Sequence, residues 1–295
     1  MITSAPIKEK QMVKRRRLGG YTDFSWLKQQ ALDSQTLQYV EQIERDEHAF
    51  ATKGIVTHGD EAMILNLKQG TFHTKRVTAH SLASIFVHIF KNKEHMLLPG
   101  FDVIDRPVIV DIGANEGYYS LKMAQNPGAK VFAIEPNPAA FELLCKNIQA
   151  NDFENIVPLE CAIWKEGGKA TLNVIPQVTS IGTLLPIESS FMSEAEDRVR
   201  RVSVNTMTLD ELIANNRIDR IDLLKIDVEG GELELLQASL SSLVIVDRIV
   251  IEYHNQEIRH RLTNLLRGEG FTLELHQPDR PDFGDLYFTK AHLLV

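Results

Sequence analysis

Apolar and polar positions follow two periods along most of this chain. Short, nearly continuous apolar runs at 108–112, 131–136, 156–162, 221–226 and 248–252 predict buried strands, and each ends at a polar or glycine-bearing turn. Between them the apolar residues recur at helical spacing. Phe141, Leu144, Cys145 and Ile148 share one face, as do Ile258, Leu262, Leu265 and Leu266, while Leu233, Leu235 and Leu236 mark a further helix. Thr208 and Glu211 have capping-box spacing at the start of a helix over Leu209 to Asn216. The segments 271–276 and 285–289, joined by a turn rich in Pro and Asp, predict an antiparallel pair. Strands alternating with helices and closed by a hairpin describe an α/β, doubly wound sheet whose ligands lie at the strand carboxyl ends.

Upstream, the pattern is less regular. One amphipathic helix is expected over 24–45, strands at 61–67 and 72–78 around Gly70, and a helix opened by Ser81 with Leu82, Ile85, Phe86 and Ile89 on its apolar face. A boundary near residue 95 divides an N-terminal extension, 1–95, from a main domain, 96–295. Two extra strands, 169–175 and 198–204, flank the irregular segment 176–197, a candidate lid or substrate loop.

The chemistry concentrates at strand ends. V-I-V-D-I-G-A-N-E-G-Y-Y at 108–119 carries Asp111 at the end of its strand and Gly113 and Gly117 in the following turn, where missing side chains let backbone N–H groups approach a ligand. The spacing is G-x-x-x-G, without the third glycine of a dinucleotide site, which suits a ligand lacking a pyrophosphate, such as S-adenosylmethionine. The next strand ends in Glu135, placed as an acidic side chain that takes ribose hydroxyls, and Pro136, Asn137 and Pro138 lead into a helix. Asp111, Glu135, Cys161-Ala162, Asp227 and His254 lie at the ends of different strands and are expected to converge on one crevice.

Composition narrows the class. The chain has 295 residues and is 43% hydrophobic, enough for a sizeable core. No apolar run approaches the ~20 residues of a membrane span, and the N-terminus lacks an apolar signal region, so a cytoplasmic protein is expected. Two cysteines, Cys145 and Cys161, suggest no disulfide framework. A net charge of −8 argues against a nucleic-acid partner, and the cluster Lys14-Arg15-Arg16-Arg17 reads as a solvated arm.

These motifs together resemble the FkbM-type S-adenosylmethionine-dependent methyltransferases, over about residues 81–276. The resemblance rests on V-D-I-G-A-N-E-G-Y-Y-S, on A-I-E-P-N-P, and most specifically on T-L-D-E-L at 208–212 with L-L-K-I-D-V-E-G-G-E at 223–232. It implies the Rossmann-like class I fold, a seven-strand sheet with its last strand antiparallel, and methyl transfer to an oxygen of a small metabolite, polyketide or sugar; some relatives methylate nitrogen in an amine or peptide. It also implies that the turn Asp111, Gly113, Ala114, Asn115 and Gly117 holds the methionine end of the cofactor, with Asn115 near its amino acid moiety. Glu135 would serve the ribose and Cys161 and Ala162 the adenine, with Pro136, Asn137 and Asp227 as further cofactor-binding positions.

A hydroxyl acceptor must lose a proton, and His254 is the general base expected from its ordinary pKa, with Asp227 and Glu229 as competing bases or positioning groups. Glu229 is alternatively a helix N-terminal carboxylate beside Gly230-Gly231. Asp227, Glu252, His254 and Asn255 also raise the question of Mg²⁺ or a transition metal. Because cofactor and acceptor already account for the acids, no metal is expected. Two other readings stand beside methyl transfer: an NAD-dependent or nucleotide-sugar oxidoreductase, and a ligand-responsive interaction module. The acceptor and the oligomeric state are not written in the sequence.

Overall fold

The computed structural model describes residues 22–53, 61–102, 104–175, 178–187 and 198–291. The basic cluster at 14–17 and residues 176–177 and 188–197 of the expected loop lie outside them. Strands β3 (Val108–Ile112), β4 (Lys130–Ile134), β5 (Ile156–Leu159), β10 (Leu223–Ile226), β11 (Arg248–Tyr253), β12 (Phe271–Arg280) and β13 (Phe283–Lys290) form one sheet in the order β12-β13-β11-β10-β3-β4-β5. The five strands from β11 to β5 are parallel, and β13 runs antiparallel between β11 and β12. This is the seven-strand sheet, with its last strand antiparallel, that the resemblance implies. The strand order reverses between β3 and β10, the place where an open α/β sheet forms its crevice.

Alternation along each strand sends side chains to two faces. Val110, Ile112, Leu224, Ile226, Ile249 and Ile251 face a core closed by α6 (Leu209–Asn216), α7 (Glu232–Gln237), a 3-10 helix (Leu240–Ile245) and α8 (Gln256–Gly268). The expected capping box is formed: Thr208 Oγ1 accepts from Glu211 N at 3.1 Å and Glu211 Oε2 from Thr208 N at 2.8 Å.

On the other face, Ile109, Val131, Ala133 and Leu223 pack with α4 (Tyr118–Ala124), with Leu144 of α5 (Pro138–Ala150), and with the upstream residues. The expected single helix over 24–45 is two, α1 (Phe24–Gln30) and α2 (Ser34–Lys53). The break falls where Ala31 turns extended, at φ −58° and ψ 131°, and where Asp33 accepts a hydrogen bond from Thr36 N at 2.7 Å. Strands β1 (Ala62–Leu67) and β2 (Gly70–Lys75) pair as expected. Helix α3 begins at Arg76, not Ser81, and runs to Phe90.

Phe24, Leu27, Met63, Phe72, Phe86 and Phe101 belong to the same core as Ile109 and Val131. The upstream hairpin is fixed to α5 by two asparagines. Asn147 accepts from His73 N at 2.6 Å and donates to the Glu116 carbonyl at 2.9 Å; Asn151 accepts from Thr71 N and donates back to Thr71 O.

The segment expected to be irregular contains β8 (Val178–Thr183), which pairs with β7 (Gly168–Ile175). With β6 (Ala162–Ile163) and β9 (Arg200–Met207) they make a second sheet, β6-β9-β7-β8. Alternating positions in β7 and β9 explain the extra strands, and β8 also packs against α3. Leu185, just beyond β8, reaches the turn after β10 near Gly230.

Asn147 is fully buried and its amide serves two backbone groups of different elements. Replacing it by Ala leaves both unpaired, and urea denaturation of Asn147→Ala is expected to show a loss of about 2–3 kcal/mol.

Candidate active site

The turn after β3 is held closed by backbone geometry. Gly113 has φ +82°, and a Cβ there would lie 1.8 Å from the Asp227 carbonyl oxygen, so the first glycine lets the ends of β3 and β10 touch. Gly117 has φ +91° and caps α4, where a Cβ would meet Leu144 at 2.4 Å. Asn115 also sits at positive φ, 51°. Its Oδ1 is buried without a hydrogen-bond partner, an acceptor aimed at something the protein does not supply.

Glu135, at the end of β4, ties two turns together. Its carboxylate accepts from Asn115 N at 2.8 Å and from Asn137 N at 2.7 Å, while the Asn137 side chain accepts from Ala139 N and starts α5. Burial pushes the Glu135 carboxyl up to about 7, against those two N–H groups that favour its charge. Each carboxylate oxygen has a second lone pair, so ribose hydroxyls can add to these bonds. Pro136 follows it. Glu135 N donates to Leu159 O, and Cys161 lies two residues past Leu159 with Ala162 opening β6; both are buried. Burial raises the Cys161 thiol to about 11, which makes it an apolar wall. Ala114, also buried, donates its N–H to Ile134 O at 2.9 Å.

Asp111 departs from the expectation that it faces a ligand at the sheet mouth. It is fully buried beneath the turn, 3.1 Å from Lys225 Nζ, and accepts from Ser120 Oγ at 2.7 Å. Its partner Lys225 is a residue the motif reading did not single out. Lys225 is directly in register with Asp111 on β10, donates to Gly113 O at 3.2 Å and lies 3.7 Å from Asp227. Despite its burial, the flanking carboxylates of Asp111 and Asp227 raise its pKa. A lone lysine inside the apolar run I-D-L-L-K-I was the signal for it, since a buried ammonium requires partners.

The expected neutral base, His254, is clamped between two acids. Its Nε2 lies 3.1 Å from Glu229 Oε2 and its Nδ1 2.9 Å from Glu232 Oε1, with only 5% of the side chain exposed. Burial favours the neutral ring, but the charges of Glu232 and Glu252 and the contact with Glu229 outweigh it and hold the imidazole well above its ordinary pKa. An imidazolium has no lone pair for a substrate proton. Asp227 lies beside Glu252; burial opposes its charge, yet Lys225 brings it down to about 2. Glu252 is pushed well up by burial and by Asp227.

One further residue enters from the segment before β3, where nothing in the sequence marked it. His95 is buried, 3.2 Å from Asp285 of β13, and the Asp285 and Glu94 charges raise it to about 9 although burial opposes this. It also packs edge-on against Tyr119 of α4. The structure thus joins Asn115, Glu135 and Asn137 in one group, and Asp227, Glu229, Glu252 and His254 in another. The two meet at the contact between Gly113 and Asp227.

Comparison with known proteins assigns the family. Residues 111–279 match the Methyltransferase FkbM domain, and these span both groups. The chain belongs to the FkbM methyltransferase family. It is 31% identical over 192 residues to methyltransferase sdnD of Sordaria araneosa, covering 57% of this chain and 74% of that protein. It is 25% identical to the 31-O-demethyl-FK506 methyltransferase FkbM of Streptomyces tacrolimicus, over 68% of this chain and 86% of that one. Hexuronic acid methyltransferase AglP of Haloferax volcanii is 25% identical, over 59% and 67% respectively. The solved complex of M. jannaschii TYW2 with AdoMet aligns with TM-score 0.44 and 17% identity, over 80% of this chain and 90% of that one. The protein is a methyltransferase, and its methyl donor is S-adenosylmethionine. No helix among the described residues is long and apolar enough to cross a membrane.

Removing the ammonium of Lys225 would leave Asp111 and Asp227 facing each other without compensation. Denaturant titration of Lys225→Met is expected to show a loss of about 3–5 kcal/mol, with part restored in Lys225→Met combined with Asp111→Asn.

Proposed function

We propose that the protein transfers the methyl group to a hydroxyl oxygen of a small metabolite, polyketide or sugar. The observation that carries the reading is the split of the crevice. On one side Glu135 and the unpartnered Asn115 Oδ1 offer acceptors to a nucleoside and an amino acid. On the other, beyond the Gly113–Asp227 contact, stands a group dominated by carboxylates, suited to binding hydroxyls. The activities for which the relatives are named support an oxygen acceptor: a hexuronic acid methyltransferase, a 31-O-demethyl-FK506 methyltransferase, and the 2-O-methyltransferase NoeI of Sinorhizobium fredii.

S-adenosylmethionine supplies an electrophilic methyl on a sulfonium, a reaction in which alignment of the attacking oxygen supplies much of the rate. Here Glu135 would hold the ribose hydroxyls, the Asn115 amide oxygen the amino group of the methionine end, and Cys161 and Ala162 an apolar wall for the adenine. The backbone of the 113–117 turn keeps these groups at fixed spacing. Asp227 and Glu229 would orient the acceptor, and His254 would hold the Glu229 carboxylate in place as a positioning cation. This replaces the role of base expected for His254.

Ribose hydroxyls donate to a carboxylate, so binding favours ionised Glu135 over the protonated acid. With the free carboxyl at about 7, affinity for S-adenosylmethionine is expected to rise from pH 6 to pH 8 by about tenfold and then level off. Burial has the opposite effect on the empty protein. A carboxyl raised from its unfolded value gives stability that is complete below about 4.5 and lost as pH rises through about 7. Calorimetry at both pH values checks this, and Glu135→Gln should flatten the dependence while remaining folded. Equal or tighter binding of NAD would overturn the reading. Transfer of labelled methyl from S-adenosylmethionine to polyol and amine acceptors then separates oxygen from nitrogen chemistry.

A further inference from the structure

We infer that Asp227, Glu252 and His254 form a binding site for a first-row divalent cation at the acceptor side of the crevice. One ligand atom from each of these three residues lies within 4.8 Å of the others, close enough to contract around a single ion. They come from the end of one strand and from the neighbouring strand and its end, Asp227 just past β10, Glu252 on β11 and His254 just past it. Asp227 and His254 thus each lie one residue beyond adjacent parallel strands, and Glu252 lies on the second of them.

The surroundings of His254 add to this. Glu232 is completely buried, accepts from Gly230 N at 2.9 Å, and places the same oxygen 2.9 Å from His254 Nδ1. Metal-binding histidines usually have a carboxylate of this kind against their other ring nitrogen, which helps direct the remaining nitrogen at the ion. Here that remaining nitrogen is Nε2, whose proton faces Glu229 in the ion-free protein and is released when the ion binds in its place. It lies 3.1 Å from Glu229 Oε2, close to the separation of roughly 3 Å between adjacent ligands of an ion held at about 2.1 Å. Glu229 is thus in place to act as a fourth ligand.

The donor set of carboxylate oxygens and one imidazole suits Mn²⁺ or its first-row neighbours better than Ca²⁺. The role of the ion rests on the proposed oxygen methylation. An acceptor hydroxyl beside the cation becomes more acidic; its O–H bond breaks with the proton passing to water, while the O–CH₃ bond forms and the S–CH₃ bond breaks. The backbone contact of Asp227 with Gly113 puts this chemistry beside the cofactor turn.

The test is titration of the full chain, stripped with chelator, with MnCl₂ and followed by loss of the free Mn²⁺ electron spin resonance signal. One Mn²⁺ per chain is expected. Glu252→Gln should abolish this binding, and Glu232→Gln, which touches no ion, should weaken it by about 10–100-fold. S-adenosylmethionine binding by both variants reports that they are folded. If a variant does not fold, spin-echo modulation of Mn²⁺ on the unaltered protein decides: coupling to one imidazole nitrogen supports the site, and its absence overturns it. Failure of Mn²⁺ to bind, or binding unchanged in both folded variants, also overturns it. Mn²⁺ bound with histidine coupling by a protein that does not take S-adenosylmethionine would keep the metal site and refute the methyl-transfer reading, so the two fail separately.

Discussion

The crevice is organised by one buried ammonium. Lys225 sits in the middle of the central sheet, 3.1 Å from Asp111, 3.7 Å from Asp227 and hydrogen-bonded to Gly113 O. Removing that charge from water is costly and is tolerated only because carboxylates and a carbonyl surround it. In return it binds the ends of β3 and β10 to each other. The first turn can then approach β10 so closely that no side chain fits at position 113.

The rest of the site depends on that contact. With the turn fixed, Asn115 N reaches Glu135, and Glu135 reaches Asn137, so a single buried carboxylate sets the spacing of the first two βα units. On the far side of Lys225, the carboxylates after β10 meet those of β11 and the clamped His254. The upstream residues complete the arrangement: they close one face of the sheet and bring His95 to Asp285, beside the same group of charges.

Much of this was legible in the sequence. Short apolar runs ending in Asp, Glu or Gly gave the parallel strands, because a strand buried on both faces has few polar residues until it leaves the sheet. Thr208 and Glu211 marked a helix start through a local hydrogen-bond exchange that needs no tertiary context. Side-chain direction was less accessible. Asp111 and Glu135 occupy equivalent strand ends, yet one turns under its glycine loop to Lys225 and the other accepts from two turns. His254 had an ordinary pKa on paper, but its charge is decided by Glu229 and Glu232, contributed by the turn and helix after a different strand. The break in the first helix at Ala31, the β8 strand and the role of His95 likewise depend on contacts between segments far apart in the chain.

The most direct test of the whole account is a crystal structure with S-adenosylhomocysteine bound. The account requires the ribose hydroxyls on Glu135, the amino group on Asn115 Oδ1, and the thioether sulfur facing the carboxylates of Asp227 and Glu229 across the Gly113 contact. A ligand seated elsewhere, or one whose sulfur faces away from Asp227, would contradict it.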